Sequence, residues 1–273
     1  MKNYRILNTK GILLDKYQLG KYLEKLASDH VLKEKSDKNT YPIPRLISNF
    51  EVITTVYNLL NEHIKLKIPI HPAGEWLLDN YYVIEEAVKS IEKDLSPKKY
   101  VNFLGIANGV NYGFARIYVL ATEIISYTDG AVTKDLLTEL LKNYQEKKKL
   151  NMEEIWNIGI FLQIALIENI RNICESIYSA EIQKYRVENI VERLVENKQK
   201  DELKFNKLNE YKTKIKEYGE AKYPFIEYMS YKLKSFGKKA YPFLSILEEQ
   251  VNKMGIEVSE VIKKEHFNVA VKK

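Results

Sequence analysis

The sequence predicts an all-α protein, a bundle of about nine or ten helices with one long helix around residues 152–197. Apolar residues recur at three- and four-residue spacing nearly everywhere, the repeat that lines one face of an α-helix. Sustained period-two alternation of Val, Ile and Thr, the mark of a half-buried strand, is missing. Only 11 Gly and 7 Pro interrupt 273 residues, so long helices meet few breakers.

The elements follow in order. A first helix covers about Asp15 to Leu32, with Tyr17, Tyr22, Leu23 and Leu26 as its apolar positions, and a polar linker, KEKSDKNTYPIP, comes after it. Pro44 suits the start of a second helix, since its fixed φ and missing N–H cost nothing in a first turn. Its stripe is Leu46, Ile47, Phe50, Ile53, Tyr57 and Leu60, and it stops before KIPIHPAG. A third helix runs through EWLLDNYYVIEE to about Asp94, where LSPKKY ends it and opens a shorter one. After GIANGVNYG, the segment Phe114 to Tyr127 reads as strongly buried, and Thr128 to Gly130 supply its stop.

Thr133 can cap the next helix, which ends near Lys147 to Lys149, where cations complement the helix dipole. Asn151 and Glu154 have the spacing of a capping box. From Met152 the apolar pattern runs on toward Asn197. Its first half reads as apolar all round and the part beyond Glu181 as heavily charged, a helix leaving the core for solvent or a partner. Tyr223-Pro224 and Tyr241-Pro242 each open a further helix, with Gly237 and Gly255 as separators. The expected organisation is an N-terminal helix and linker over 1–40, a main helical domain over 41–197 and C-terminal helices over 198–273.

Composition excludes several functions. The net charge is +6, but Glu accompanies Lys almost throughout, as in VERLVENKQKDELK, which reads as solvated helix faces. A nucleic-acid partner is not expected, because no basic stripe, zinc-finger spacing or aromatic RNA-binding signature is present. The single cysteine, Cys174, forms no internal disulfide and fits a reducing compartment. The first residues, MKNYRILNTKG, lack a secretory signal pattern, and IGIFLQIALI is too short for the roughly 20 residues of a membrane span.

The search for chemistry is also negative. His30, His63, His71 and His266 never fall at i, i+3 or i, i+4, so no metal is expected and the histidines read as solvent-exposed or loop residues. There is no nucleophile elbow and no glycine-rich phosphate loop. None of the eight aspartates lies two residues from another, so an Asp-x-Asp metal site for a nucleotide sugar is missing too. Catalytic residues are accordingly expected to be absent. Glu75 and Asp79, like Asp79 and Glu86, share a helix face, an arrangement that helix surfaces produce by chance more often than for catalysis.

One helix is odd. In EWLLDNYYVIEE the residues Trp76, Leu77, Leu78, Tyr81, Tyr82, Val83 and Ile84 wrap most of the circumference, with Asp79 and Asn80 in the middle of the apolar belt. Such residues are poor helix formers and costly to bury.

That helix lies in a longer run, PRLISNFEVITTVYNLLNEHIKLKIPIHPAGEWLLDNYYVIEEAVKSIEKDL, which resembles the N-terminal region of the large bacterial cyclic β-1,2-glucan synthases. There too a Pro-Arg-Leu helix start precedes Glu-Trp-Leu-Leu-Asp-Asn. ARIYVLATEIISYTDG, YQEKKKLNMEEIW and LQIALIENIRNI follow in the same order, and VSEVIKKEH resembles a helix start leading toward the transferase portion. The likeness spans about Pro44 to His266. It implies the leading helical segment of a multidomain enzyme whose other parts carry a membrane glucosyltransferase using UDP-glucose, a cyclisation domain and a phosphorylase-like domain. No cofactor is expected in this chain itself. Stopping at Lys273, it is expected to be either a truncated piece of such an enzyme or a natural remnant.

On this basis the polar residues inside apolar helices, Asp79, Asn80, Arg116, Glu123, Glu168, Asn169 and Arg171, are expected to form an interhelical network. Arg116 and Glu123 share a face, and Glu168 and Arg171 are spaced to pair. Removing Asp79 would then strand a buried partner at a cost of about 3 kcal/mol. The competing expectation is a groove for glucan or for the transferase domain, lined by the same residues with Glu75, Trp76 and Tyr118. Expected partners are the remaining domains of the same synthase and β-1,2-glucan, and the expected place is the cytoplasmic face of the membrane. The alternative function is a stand-alone β-glucan-binding or glucan-processing protein acting through Glu75 and Asp79. A third is an oligomerisation module built on the charged helix around Glu181 to Lys200.

Overall fold

The computed structural model describes residues 13–197, 202–203 and 223–253. The described residues divide into two compact units, with the boundary between Glu175 and Ser176. Nine α-helices are found among them: α1 Lys16–Asp29, α2 Ile43–Lys65, α3 Pro72–Asp94, α4 Pro97–Asn102, α5 Arg116–Thr128, α6 Lys134–Gln145, α7 Met152–Leu194, α8 Tyr223–Lys234 and α9 Tyr241–Lys253. The all-α expectation and its single long helix hold.

Helix ends follow local chemistry. Asp15 caps α1 in a full capping box with Gln18, Thr133 caps α6 and Ser96 caps α4 through their side chains. Pro42 precedes α2, which has a proline in its first turn, and α3 opens at Pro72 behind an N-cap histidine, His71, whose ring accepts from the Ala73 amide at 3.2 Å. Asp129 ends α5 in the left-handed conformation with Gly130 after it, a stop that needs residues tolerant of positive φ. The region expected to carry the first helix as far as Leu32 instead turns at His30. Leu32–Lys33 (β1) then pairs antiparallel with Gly105–Ile106 (β2), Leu32 facing Ile106.

In the first unit α1 packs on α6, and α2 and α3 form a helical hairpin. The buried stripe of α1 is Leu19, Gly20, Leu23 and Ala27; of the expected positions Leu23 lies on it, Tyr22 and Leu26 are half-buried at its edge, and Tyr17 is exposed. A Cβ on Gly20 would come within 2.3 Å of the Asn143 amide of α6, so glycine there permits the close approach of the two helices. Helix α5 is the core element, with ten of its thirteen residues buried. Around it lies an aromatic cluster in which Phe161 of α7 meets Phe103 at 5.2 Å and Tyr118 at 5.7 Å between ring centroids.

The second unit buries Val187, Ile190, Val191 and Leu194 against Phe225, Met229, Leu233, Phe243 and Leu247. This corrects the expectation that the chain beyond Glu181 leaves the core. Its charged residues sit outside, while every third or fourth position stays apolar and packs on α8 and α9. The paired Tyr-Pro starts of α8 and α9 lie where expected, and Gly237, at φ 62°, turns the chain between them. Gly255 and His266 lie outside the described residues, as do most of the residues from 198 to 222.

The first half of α7 is not apolar all round: Met152, Ile155 and Trp156 are exposed, because a 3.6-residue helix can turn only one face to the neighbouring α5. His30 overturns the reading of the histidines as surface or loop residues. It is buried, its ring 6.1 Å from and tilted against that of Tyr144. Cys174 is buried within α7.

Candidate functional site

The polar residues that the sequence singles out fall into three places. The first is the interior of the α5–α7 contact. Arg116, 1% exposed at the start of α5, holds the fully buried Glu154 of α7 through both carboxylate oxygens, with Nε donating to Oε1 at 2.9 Å and Nη2 donating to Oε2. Nη2 also donates to the Lys149 carbonyl at 3.1 Å. Glu154 Oε2 accepts in addition from the Asn151 amide at 2.9 Å, and Asn151 Oδ1 accepts from the Glu154 amide at 2.8 Å. One carboxylate therefore closes the capping box of α7 and neutralises the core arginine. A fork-to-fork pair with a further amide donor on the carboxylate is the kind of arrangement that a buried ion requires.

Tyr144 lies beside this pair, its ring 6.0 Å from the Arg116 guanidinium carbon, and its hydroxyl shares a 3.0 Å hydrogen bond with His30 Nδ1. Burial, then the charges of Arg116 and Lys148, push His30 down to about 4, so the ring is neutral at ordinary pH. Burial likewise raises Tyr144 to about 12.

The second place joins α2 to α7. Arg45 donates to Glu168 through Nε at 3.1 Å and Nη2 at 2.6 Å, and the buried Asn49 amide donates to the same carboxylate. The pair stands behind a side-chain exposure of 22% for Arg45 and 14% for Glu168, and the carboxylate holds the guanidinium firmly charged. Tyr118 is buried close by, and desolvation raises its phenol.

The expected pairings differ in detail from these. Arg116 takes Glu154 and not Glu123, which instead accepts from Tyr22 Oη of α1 at 2.8 Å. Glu168 takes Arg45 and not Arg171, which donates to Glu175 at 2.5 Å and to Asn172 at 3.2 Å. Asn169 donates to Asp129 at 3.4 Å. Sequence spacing identifies residues on one helix face, but the neighbour on the next helix decides the pairing.

The third place is the outer face of α3. Glu75, Asp79 and Glu86 are exposed there, with Trp76 51%, Val83 65% and Tyr82 66% exposed beside them. Asn80 donates only to the Trp76 carbonyl of its own helix, at 2.8 Å. The expected membership of Asp79 and Asn80 in a buried network is thus overturned. The helix buries Leu77, Tyr81, Ile84, Val88 and Ile91 along one stripe, with Tyr81 stacked on Tyr57 at 3.9 Å, and turns Asp79 to the opposite side.

Two residues that complete the interior pairs, Arg45 and Glu154, were missed as pairing partners. A signal existed for each. Arg45 and Asn49 are one turn apart on α2, Asn49 in its buried stripe, and Glu154 sits at the capping-box position, where its carboxylate is held against the backbone at the helix start.

Chemically, the first two places tie helices to one another through charge-assisted hydrogen bonds. Burial raises the Cys174 thiol to about 11, leaving it protonated and inert as a nucleophile. Among the described residues no group of three or more His, Cys, Asp or Glu side chains is placed to hold a metal, and no helix is long and apolar enough to cross a membrane.

No protein-family model matches the chain. It is similar to the cyclic beta-(1,2)-glucan synthase NdvB of Rhizobium meliloti (strain 1021), with 27% identity over 147 residues, 54% of this chain. The match covers 5% of that much longer protein. The chain is therefore related to the cyclic β-1,2-glucan synthases.

Proposed function

We propose that this chain is a non-catalytic helical segment that scaffolds or regulates a cyclic β-1,2-glucan synthase-like glucosyltransferase. Its partners are the remaining domains of that synthase, and its place is the cytoplasmic side of the membrane in which the transferase sits. UDP-glucose serves the transferase and not this chain. Its relation to a glucan synthase supports this reading. The observation that carries it is the fate of the charged side chains: Arg116, Glu154, Arg45 and Glu168 are consumed in locking α5, α7 and α2 together. Glu75 and Asp79, the acids considered for glucan chemistry, stand one turn apart on the outer face of a single helix, without the opposed placement that acid–base attack on a glycosidic bond demands.

The test incubates the purified chain with UDP-glucose and, separately, with linear β-1,2-glucan, and then repeats both with a transferase-bearing synthase polypeptide present. The expected result is no product from the chain alone and a changed yield or ring-size distribution of cyclic glucan when the two are combined. Glucosyl transfer or glucan cleavage by the chain alone would overturn the proposal, and so would an unchanged product profile in the combined assay.

A further inference from the structure

The outer face of α3 combines features that seldom coincide on a solvated helix. Glu75, Asp79 and Glu86 lie along one arc, with Trp76 and Val83 on one flank and Tyr82 on the other. The twelve residues from Glu75 to Glu86 contain four acids and no lysine or arginine, although the whole chain has 43 basic residues among 273. The nearest cations down the helix are Lys89, paired with Glu85 at 3.1 Å, and Lys93, nearly two turns beyond Glu86. A tryptophan, a tyrosine and a valine stand together on this face, each at least half exposed, and each would gain free energy by leaving water. Trp and Tyr are the side chains that dominate interface energetics, and a surrounding ring of one charge selects the sign of what binds.

We infer that the outer face of α3 is a docking surface for a basic, amphipathic polypeptide helix. In this arrangement apolar side chains of the incoming helix cover Trp76, Tyr82 and Val83, while its lysines or arginines meet Glu75, Asp79 and Glu86. The inference rests on the scaffold reading and gives its partner a chemical class.

Trp76 itself reports the contact. In a Trp156→Phe background it is the sole tryptophan, and its emission shifts to the blue when water leaves the indole. The probe is a Leu/Lys peptide of about 18 residues, five helical turns, with leucine at three- and four-residue spacing; the control is the Leu/Glu peptide of the same pattern. The expected result is a saturable blue shift with the Leu/Lys peptide only, weakened by salt, and at least tenfold weaker binding when Asp79→Lys and Glu86→Lys are combined. Both positions are exposed, so that variant folds, as an unchanged helical circular-dichroism signal would confirm. The inference is overturned by no saturable shift, by an equal response to the Leu/Glu peptide, or by indifference to the charge reversal. It is also overturned if linear β-1,2-glucan alone gives the saturable shift, or if the shift arises from rising protein concentration without peptide, which would mark the face as a saccharide site or a self-contact. Failure here leaves the scaffold reading intact, because that reading stands or falls on the product assays.

Discussion

Two sets of carboxylates on neighbouring stretches of this chain meet opposite fates. Glu154 and Glu168, on α7, are enclosed and paired with arginines from α5 and α2; Glu75 and Asp79, on α3, face water. All four sit in helices rich in Leu, Ile and aromatic residues, so local composition does not separate them. What separates them is whether a guanidinium arrives from another helix. An acid can be buried only when a partner makes up for lost hydration, and without one the helix rotates it outward.

The comparison is broken most directly at Glu154. Glu154→Gln leaves the Arg116 guanidinium buried beside a neutral amide and weakens the cap of α7, so a loss of about 3–5 kcal/mol is expected, read from the denaturant midpoint. Replacing the pair with Arg116→Met and Glu154→Leu together should recover much of that loss, because no stranded charge remains. A double variant as unstable as the single one would show that the hydrogen bonds, and not the stranded charge, dominate.

The next effect comes from pH. His30 is depressed to about 4 in the fold, against an ordinary 6.5 when unfolded, so between these values the unfolded chain binds the extra proton. Its contribution is fully present above pH 6.5 and is lost as the pH falls toward about 4, up to about 3 kcal/mol in all. Urea titrations at pH 7 and pH 4.5 should show the loss, and His30→Gln should flatten the slope. An unchanged slope would mean that carboxylates alone set the acid limit.

Glu168→Gln should cost less, about 1–3 kcal/mol, because the Arg45–Glu168 pair keeps some contact with water and Asn49 keeps a partner in the new amide oxygen. The contrast with Glu154→Gln measures what full enclosure adds. Asp79→Ala completes the series: on an exposed face it should shift stability by no more than about 0.5 kcal/mol, in place of the 3 kcal/mol that a buried network would require. Thermal melts of the three variants side by side check the ordering.

These same residues mark what could be read from sequence. The helices, the caps at Thr133 and Asn151 and the long α7 were legible, because spacing, prolines and capping residues act within a few positions of one another. The Asn151–Glu154 capping box is such a case, and both of its bonds are present. The partner of Arg116 was not legible. Helical period places Glu123 on its face, but the choice of Glu154, 38 residues away, depends on which helix packs against α5. Asp79 failed for a related reason. Counting apolar neighbours around a helix measures how much surface it offers for burial, not how much the other helices cover, and α3 offers two faces while α2 covers one.

The smallest prediction sharpens the point on α7, where the apolar pattern also promised more burial than the fold delivers. Gly159 lies within this helix, exposed, and a Cβ built there meets nothing within 4 Å. Nothing in the described fold explains a glycine in place of a better helix former. Gly159→Ala should therefore stabilise the protein by about 0.5–1 kcal/mol, through the smaller entropy lost on folding and alanine's higher helix propensity. A rise of a few degrees in melting temperature is the expected readout. A fall would mean that something packs closely over this turn in solution, and would place a second covered face beside the exposed Trp156.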